Sequence, residues 1–295
     1  AADVAATLTE GAALLSDVES MRVDGAHRIE LSLAQPDPTL PHRLADPRLI
    51  ILNGTSEKPV GTGPYRLETY RAGERALLTR NPDYWKPGRA HVDAVDLRHV
   101  PDVSVRQQAI MTGEVDYADG LDPRALALLQ HIPDVGVLDI ATGRNIALTA
   151  HAREDLLGPV STALPHQEIV DRLLLGHGAP GAPFPSRTQT ATTRPLQLGV
   201  VDSGVPRSLD IARLVAKRLD EAGWPVTLLK DASDGAADMT LRWRRSHPDT
   251  QDPDHITLAW ANDLSAYRAP LTHAPDVGKE AENDGGRLIE RWWFN

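Results

Sequence analysis

The sequence predicts an α/β fold spread over about two domains, and three observations carry that expectation. The chain has 295 residues, enough for about two domains at roughly 100–200 residues each. Its composition, 41% hydrophobic and 24% charged, is that of ordinary folded domains and gives no case for wholesale disorder. Over residues 196–229 a strand pattern, a helix pattern and a second strand pattern follow in the order of a βαβ unit.

Each element has a local warrant. Ala2 to Leu15 is Ala-rich with apolar Val4, Leu8, Leu14 and Leu15, an uncapped helix stopping before Ser16-Asp17. Ile29, Leu31 and Leu33 alternate with polar neighbours, the period of a half-buried strand, and Pro36 and Pro38 end it. A turn-rich stretch from Asn53 to Pro64 leads to strands around Tyr65–Tyr70 and Arg75–Thr79, joined as a hairpin through Arg71–Glu74, with another strand over Val95–Val100. Ser104-Val105-Arg106-Gln107 reads as a capping box for a helix reaching Met111 and stopped by Gly113. Pro123 opens a second helix through Gln130, because proline's fixed φ suits a first helical turn. Gly136–Ile140 and Asn145–Leu148 are extended in character, and Pro165–Leu175 is a helix closed by Gly176. The Gly- and Pro-rich stretch from Gly176 to Pro195 reads as a loop or interlobe connection. Leu196–Val201 is a strand, followed by a helix with Ile211, Val215 and Leu219 at four-residue spacing. Val226–Leu229, Met239–Trp243 and Ile256–Trp260 are further strands.

Charge and residue usage narrow the function. Lys plus Arg number 31 against 41 Asp plus Glu, a net charge of −10, so a nucleic-acid partner would be repelled without a separate basic face. The absence of Cys removes disulfides, thiolate metal sites and a cysteine nucleophile. The opening Ala1-Ala2-Asp3-Val4-Ala5-Ala6 has none of the features of a secretory leader, and no apolar run approaches the roughly 18 residues of a membrane span. GxSxG, HExxH and Walker-type patterns are all missing, so no catalytic residue, cofactor or metal site is expected. Gly61-Thr62-Gly63-Pro64-Tyr65 is a poor phosphate loop, since Pro64 lacks the amide donor and no third glycine follows. The 11 His residues are scattered, with no pair at the helical i,i+4 spacing that would share a metal.

Three strings in order give a resemblance. Pro59-Val60-Gly61-Thr62-Gly63-Pro64-Tyr65-Arg66-Leu67 is followed by Asn81-Pro82-Asp83-Tyr84-Trp85 and by Met111-Thr112-Gly113-Glu114-Val115-Asp116. Together they resemble the family 5 extracellular solute-binding proteins, the peptide and nickel receptors of ABC importers. Val18-Glu19-Ser20 and Arg28-Ile29-Glu30-Leu31 resemble the strand pair ahead of that signature. Ile169 to Gly178 resembles the helix and glycine turn of the ligand-contacting lobe, and Gln251-Asp252-Pro253-Asp254-His255 resembles a late Asp-Pro-Asp motif.

The resemblance implies a two-lobed, periplasmic-binding-protein-like α/β fold with mixed sheets, incomplete at its N-terminus and without its leader. Residues 1–144 would form part of the first lobe, 145–270 the second lobe with most ligand contacts, and 271–295 an unassigned tail. It implies a non-enzymatic receptor at the periplasmic or extracellular face of the membrane, delivering an oligopeptide or similar cationic solute to an ABC permease. Two alternatives stay open: a ligand-sensing domain of a transcriptional regulator, and a non-binding remnant.

The signature strings themselves read as structural. Gly61–Tyr65 is expected in a tight turn away from the cleft, and Tyr84-Trp85 buried against the sheet. The resemblance places ligand chemistry at Asp249, three positions ahead of the Asp-Pro-Asp motif, where a carboxylate in a partly dehydrated cleft would hold an ammonium. The other reading of Asp249 is a solvated loop acid. Trp243 would supply an apolar wall and Arg244 or Arg245 a carboxylate partner, unless these lie on the surface.

Overall fold

A computed structural model describes residues 1–38, 40–44, 49–53, 60–151, 156–182, 194–201, 205–233, 235–245, 255–273 and 291–294. Its contacts divide into two compact units, one over Ala1–Leu97 and the other from Arg98 onward.

In the first unit the expected N-terminal helix is shorter: α1 (Ala2–Glu10) stops at Gly11, and a single 3₁₀ turn follows over Ala12–Leu14. β1 (Val18–Asp24) pairs antiparallel with β2 (Arg28–Leu33), and α2 (Leu40–Leu44) follows. Leu8, Leu15 and Leu49 form a small buried cluster against Val18, Met21 and Leu31. Arg43 fastens this region by pairing with Asp17 at 2.6 Å and Asp37 at 2.7 Å. β3 (Tyr65–Arg71), β4 (Arg75–Arg80) and β5 (Ala94–Arg98) make a sheet in that order. Gly61–Pro64 forms no tight turn; the chain bends at Pro64 on entering β3, and the Asn81 side-chain amide donates to the Gly63 carbonyl at 3.1 Å. The expected burial of Trp85 fails as well. Its ring is 68% exposed, with the Lys86 ammonium over it at 5.1 Å.

The second unit opens with α3 (Val103–Thr112). Asp102 caps it instead of Ser104, its carboxylate accepting from the backbone N–H groups of Ser104 and Val105, and Gly113 closes it in the left-handed conformation as expected. β6 (Tyr117–Ala118) and α4 (Pro123–Leu129) follow, the latter capped by Asp122 with proline in its first turn. The two extended pieces expected at 136–148 are one strand, β7 (Val135–Ala150). α5 (Leu157–Ser161) precedes α6 (His166–Glu168), which widens into a π turn over Ile169–Leu173. β8 (Gly178–Pro180) lies where the sequence suggests a loop. β9 (Leu196–Val200), α7 (Ser208–Glu221) and β10 (Val226–Leu229) make the expected βαβ unit, with β9 and β10 parallel. β11 (Met239–Arg245) and β12 (His255–Arg268) complete the sheet, whose order is β10-β9-β11-β7-β12-β6, with β8 also on β12. β11 runs parallel to β9 and antiparallel to β7, so the sheet is mixed.

Two apolar clusters share the long pair β7 and β12. Ile146, Leu148 and Ala150 from one end of β7 join Ile256, Leu258 and Ala261 in the larger cluster, which α7 covers with Ile211, Val215 and Leu219. At the other end Val135 and Val137 pack with Leu264, Ala266 and the α4 residues Leu126 and Leu129 in a smaller one. The pairing shifts register between Trp260 and Asn262, and Gly143 opposite takes φ +62°. The boundary expected at 144/145 thus lies inside a continuous strand, at the break between the two clusters, whereas the compact units part between Leu97 and Arg98.

Residues 271–295 include a ribbon of β13 (Leu271–His273) with β14 (Trp292–Phe294). Trp292 is buried among Tyr117, Tyr267 and His273, with ring centroids 5.4, 5.4 and 4.8 Å away.

Candidate functional site

A shallow pocket open to solvent lies where β7 and β12 pass from one cluster to the other. Leu121, Pro123 and Leu264 line it from the smaller cluster's side, and Leu174, Trp243 and Ala261 from the larger. Its polar lining is Arg144, His177, Arg207 and Asn262. A mostly apolar concavity with a few convergent polar groups is the usual form of a small-molecule site.

Trp243 is fixed on both its edge and its face. Its indole N–H donates to Ser208 Oγ at 2.8 Å, the hydroxyl of the first α7 residue, and the Arg144 guanidinium stacks 4.3 Å from its ring centroid. The stacking follows from strand pairing: Trp243 is opposite Ile146, which makes Arg144 its diagonal neighbour on the same face. Arg144 Nη1 donates to Asp263 Oδ1 at 3.0 Å, which holds the guanidinium in place. Elsewhere in the lining His177 Nδ1 lies 2.8 Å from Asp139 Oδ2, and Asn262 Nδ2 donates to the other oxygen of that carboxylate at 2.6 Å.

Arg207 occupies the entrance to α7. Its backbone is left-handed, φ +68°, a geometry costing a residue with a side chain about 1–2 kcal/mol. Its side chain is only 8% exposed. Nη1 donates to Asp210 Oδ2 at 3.0 Å, while Nε lies 3.3 Å from Asp122 Oδ2 without alignment for a hydrogen bond. Asp122 has stronger partners. Arg124 donates from its backbone N–H at 2.9 Å and from its guanidinium at 3.0 Å to each carboxylate oxygen. Burial pushes the Asp122 carboxyl up, but these hydrogen bonds and the charges of Arg207 and Arg124 outweigh it, leaving the carboxyl below its ordinary range. The Asp122–Arg207 pair therefore reaches from the cap of α4, in the smaller cluster, to the entrance of α7, in the larger.

Of the residues singled out from sequence, Trp243 lies in this pocket. Arg244 does not; it points to the other side of β11, where its Nη1 is 3.1 Å from His255 Nδ1. Arg245 ends β11 paired with Arg144, and Asp249 lies outside the described residues together with the Asp-Pro-Asp motif. Arg144, His177, Arg207 and Asn262 were not singled out. The polar Gly143-Arg144-Asn145 in the middle of an otherwise apolar strand was the available signal for the first. Among the described residues no group of three or more His, Asp or Glu is placed to hold a metal ion, and no helix is long and apolar enough to cross a membrane.

The chain belongs to the bacterial extracellular solute-binding proteins, family 5, whose model matches residues 4–254. Among curated relatives, the peptidoglycan-binding protein YepA of Agrobacterium fabrum is 36% identical over 97 residues, 30% of this chain and 16% of that protein. The probable ABC transporter periplasmic-binding protein SapA of Escherichia coli is 27% identical over 181 residues, 54% of this chain and 33% of that protein. The chain thus spans a third or less of the length of these relatives. The fold is also that of the binding protein AgaA from A. tumefacien R10, solved with agropinic acid, at a TM-score of 0.80 and 16% identity over 100% of this chain and 83% of that one. NikA of Staphylococcus aureus, solved with Ni(L-His)2, matches at 0.77 and 14% identity over 97% and 83%.

Proposed function

We propose that this chain is the solute-binding component of an ABC importer, taking an oligopeptide or similar small cationic solute into the pocket at the β7–β12 crossing and delivering it to a membrane permease. It works without catalysis, at the periplasmic or extracellular face. The observation that carries this reading is that the pocket's walls come from two separate apolar clusters joined through one pair of strands. On this reading Leu121, Pro123 and Leu264 contribute one wall and Leu174, Trp243 and Ala261 the other, with Trp243 as an apolar surface. Asp249 takes the ligand's ammonium.

Calorimetric titration of a peptide mixture against the wild type and Asp249→Asn tests it. Loss of the carboxylate's charge is expected to weaken binding on the order of ten- to a hundredfold, the usual worth of a charged hydrogen bond. Equal affinity in both proteins would make Asp249 a loop acid only. No binding to either would overturn peptide capture.

A further inference from the structure

We propose that the three-stranded sheet of the first unit is a self-association surface, on which a second copy of this chain packs face to face. The sheet β3-β4-β5 has one charged face and one apolar face, and its pairing separates them. Leu67 is opposite Leu78 and Tyr70 opposite Ala76, which puts these four on one side. Arg75 is on the other side and pairs with Asp96 at 2.6 Å, so Val95 and Leu97, the neighbours of Asp96 along β5, face the same way as Leu78. The side with Arg75 also carries Arg66, bonded to Asp83, and Thr79, which donates to Glu68. Exposed pairs of this kind are at home in water. At the end of the apolar side Arg80 pairs with Asp93 at 2.7 Å, so the rim there is charge-balanced.

One face of an antiparallel sheet ordinarily lies on a core. Here the apolar face is bare: Leu67, Tyr70 and Leu97 are 59%, 67% and 45% exposed, and none of them joins the buried cluster around Leu8, Leu15 and Leu49. Ala76, Leu78 and Val95 are half-buried between them. The dimensions point to an identical sheet as the occupant. Three strands span roughly 14 Å, wider than a single helix at about 10–12 Å, whereas a second copy matches the face strand for strand. Two such faces about 10 Å apart form the layers of a β-sandwich. The exposed apolar side chains amount to about 500 Å² per copy and about 1,000 Å² in a symmetric pair, the level at which a specific interface begins. A two-fold contact needs a patch complementary to itself, and an apolar face with a balanced rim meets that need. Edge pairing is the competing route, but β3 shifts register between Leu67 and Thr69, a bulge that interrupts pairing with another chain.

Sedimentation velocity of the full chain, from about 1 to 100 μM, tests the proposal. The mass is expected to rise with concentration from 32.1 kDa toward twice that value and to stop there. Leu67→Glu with Leu97→Glu, which brings charge into the apolar face of both copies, is expected to weaken association at least about tenfold. Thr69→Glu, on the charged face, is expected to associate as wild type does. A wild type that stays at 32.1 kDa throughout overturns the proposal and leaves the face to a different partner. Growth past the dimer without a plateau means unspecific aggregation and overturns it too. Association unchanged in the double variant, or weakened as much by Thr69→Glu, places the contact elsewhere and has the same effect. Should the double variant lose its cooperative melt, Tyr70→Thr, which removes the ring and keeps a strand-forming residue, carries the test: association weakened several-fold supports the proposal, and association equal to wild type overturns it.

Discussion

Replacing Asp122 separates two jobs that one carboxylate performs. It caps α4 by accepting the Arg124 backbone N–H at 2.9 Å, and it faces the buried Arg207 guanidinium at 3.3 Å. Loss of an N-cap costs about 1 kcal/mol. Breaking a buried ion pair costs about 3–5 kcal/mol. Here the pair is not aligned for a hydrogen bond and Asp210 still holds Arg207, so we take about 2 kcal/mol, below that range. The contact with Arg124, 65% exposed, adds less than about 1 kcal/mol. Asp122→Ala should therefore lose about 3 kcal/mol. Asp122→Asn, which keeps a capping oxygen, should lose about 2 kcal/mol. Urea unfolding followed by circular dichroism reads both values in the transition of the second unit, with an unchanged m-value showing that the denatured state is not involved. If both variants stay within about 0.5 kcal/mol of wild type, the level of an ordinary surface change, the coupling drawn between α4 and α7 is wrong.

Trp292→Ala should empty the aromatic cluster under the β13–β14 ribbon and cost about 3 kcal/mol, the low end for a buried tryptophan, read as a lower melting temperature; an unaltered melt would mean the ribbon is not docked. Gly181→Ala would place a Cβ 1.7 Å from the Thr257 carbonyl oxygen, so β8 must move off β12 at a cost of about 1–3 kcal/mol, and a variant as stable as wild type would refute the close approach. Stability should also fall with acid in two windows. Burial lowers the His166 pKa below its ordinary 6.5, so the stability tied to its neutral form is present above that pH and declines as the pH falls through the folded value. Hydrogen bonds from Arg43 to Asp17, and from Arg218 and Arg172 to Glu168, hold those carboxyls below their ordinary 3.8 and 4.5, so their contribution persists above this range and is lost below it. A melting temperature that does not change between pH 8 and pH 3 would contradict both.

What the sequence made legible was local. Alternation at Ile29, Leu31 and Leu33 marked β2, and the four-residue spacing of Ile211, Val215 and Leu219 marked the buried face of α7. β1 escaped periodicity because Glu19, Ser20 and Arg22 interrupt its apolar residues. β7 read as two pieces for a different reason: Thr142, Gly143 and Arg144 interrupt its apolar pattern, and of these Arg144 lines the pocket. β8 read as linker because its glycine suggests a loop, whereas the lack of a side chain is what lets the backbone approach β12. Asp102 and Ser104 are both good caps, and only the backbone shows which is used. Arg207 gave no signal, since a left-handed backbone is expected at Gly or Asn. Its position depends on partners at Asp122 and Asp210, one of them far along the chain.

The central place of β7 has a consequence for how the chain is made. The strand is complete at Ala150, yet its neighbours β11 and β12 begin only at Met239 and His255. At a synthesis rate of roughly 5–20 residues per second, the growing chain carries that strand with both edges open for several seconds. Open edges of an apolar strand are templates for pairing with another chain. The vulnerable species is therefore the nascent polypeptide before β11 and β12 arrive, whereas in the finished sheet β12 covers one edge of β7 and β11 covers Arg144–Ala150 of the other. Slower growth at low temperature with abundant chaperone should raise the soluble yield without moving the melting temperature of the purified protein.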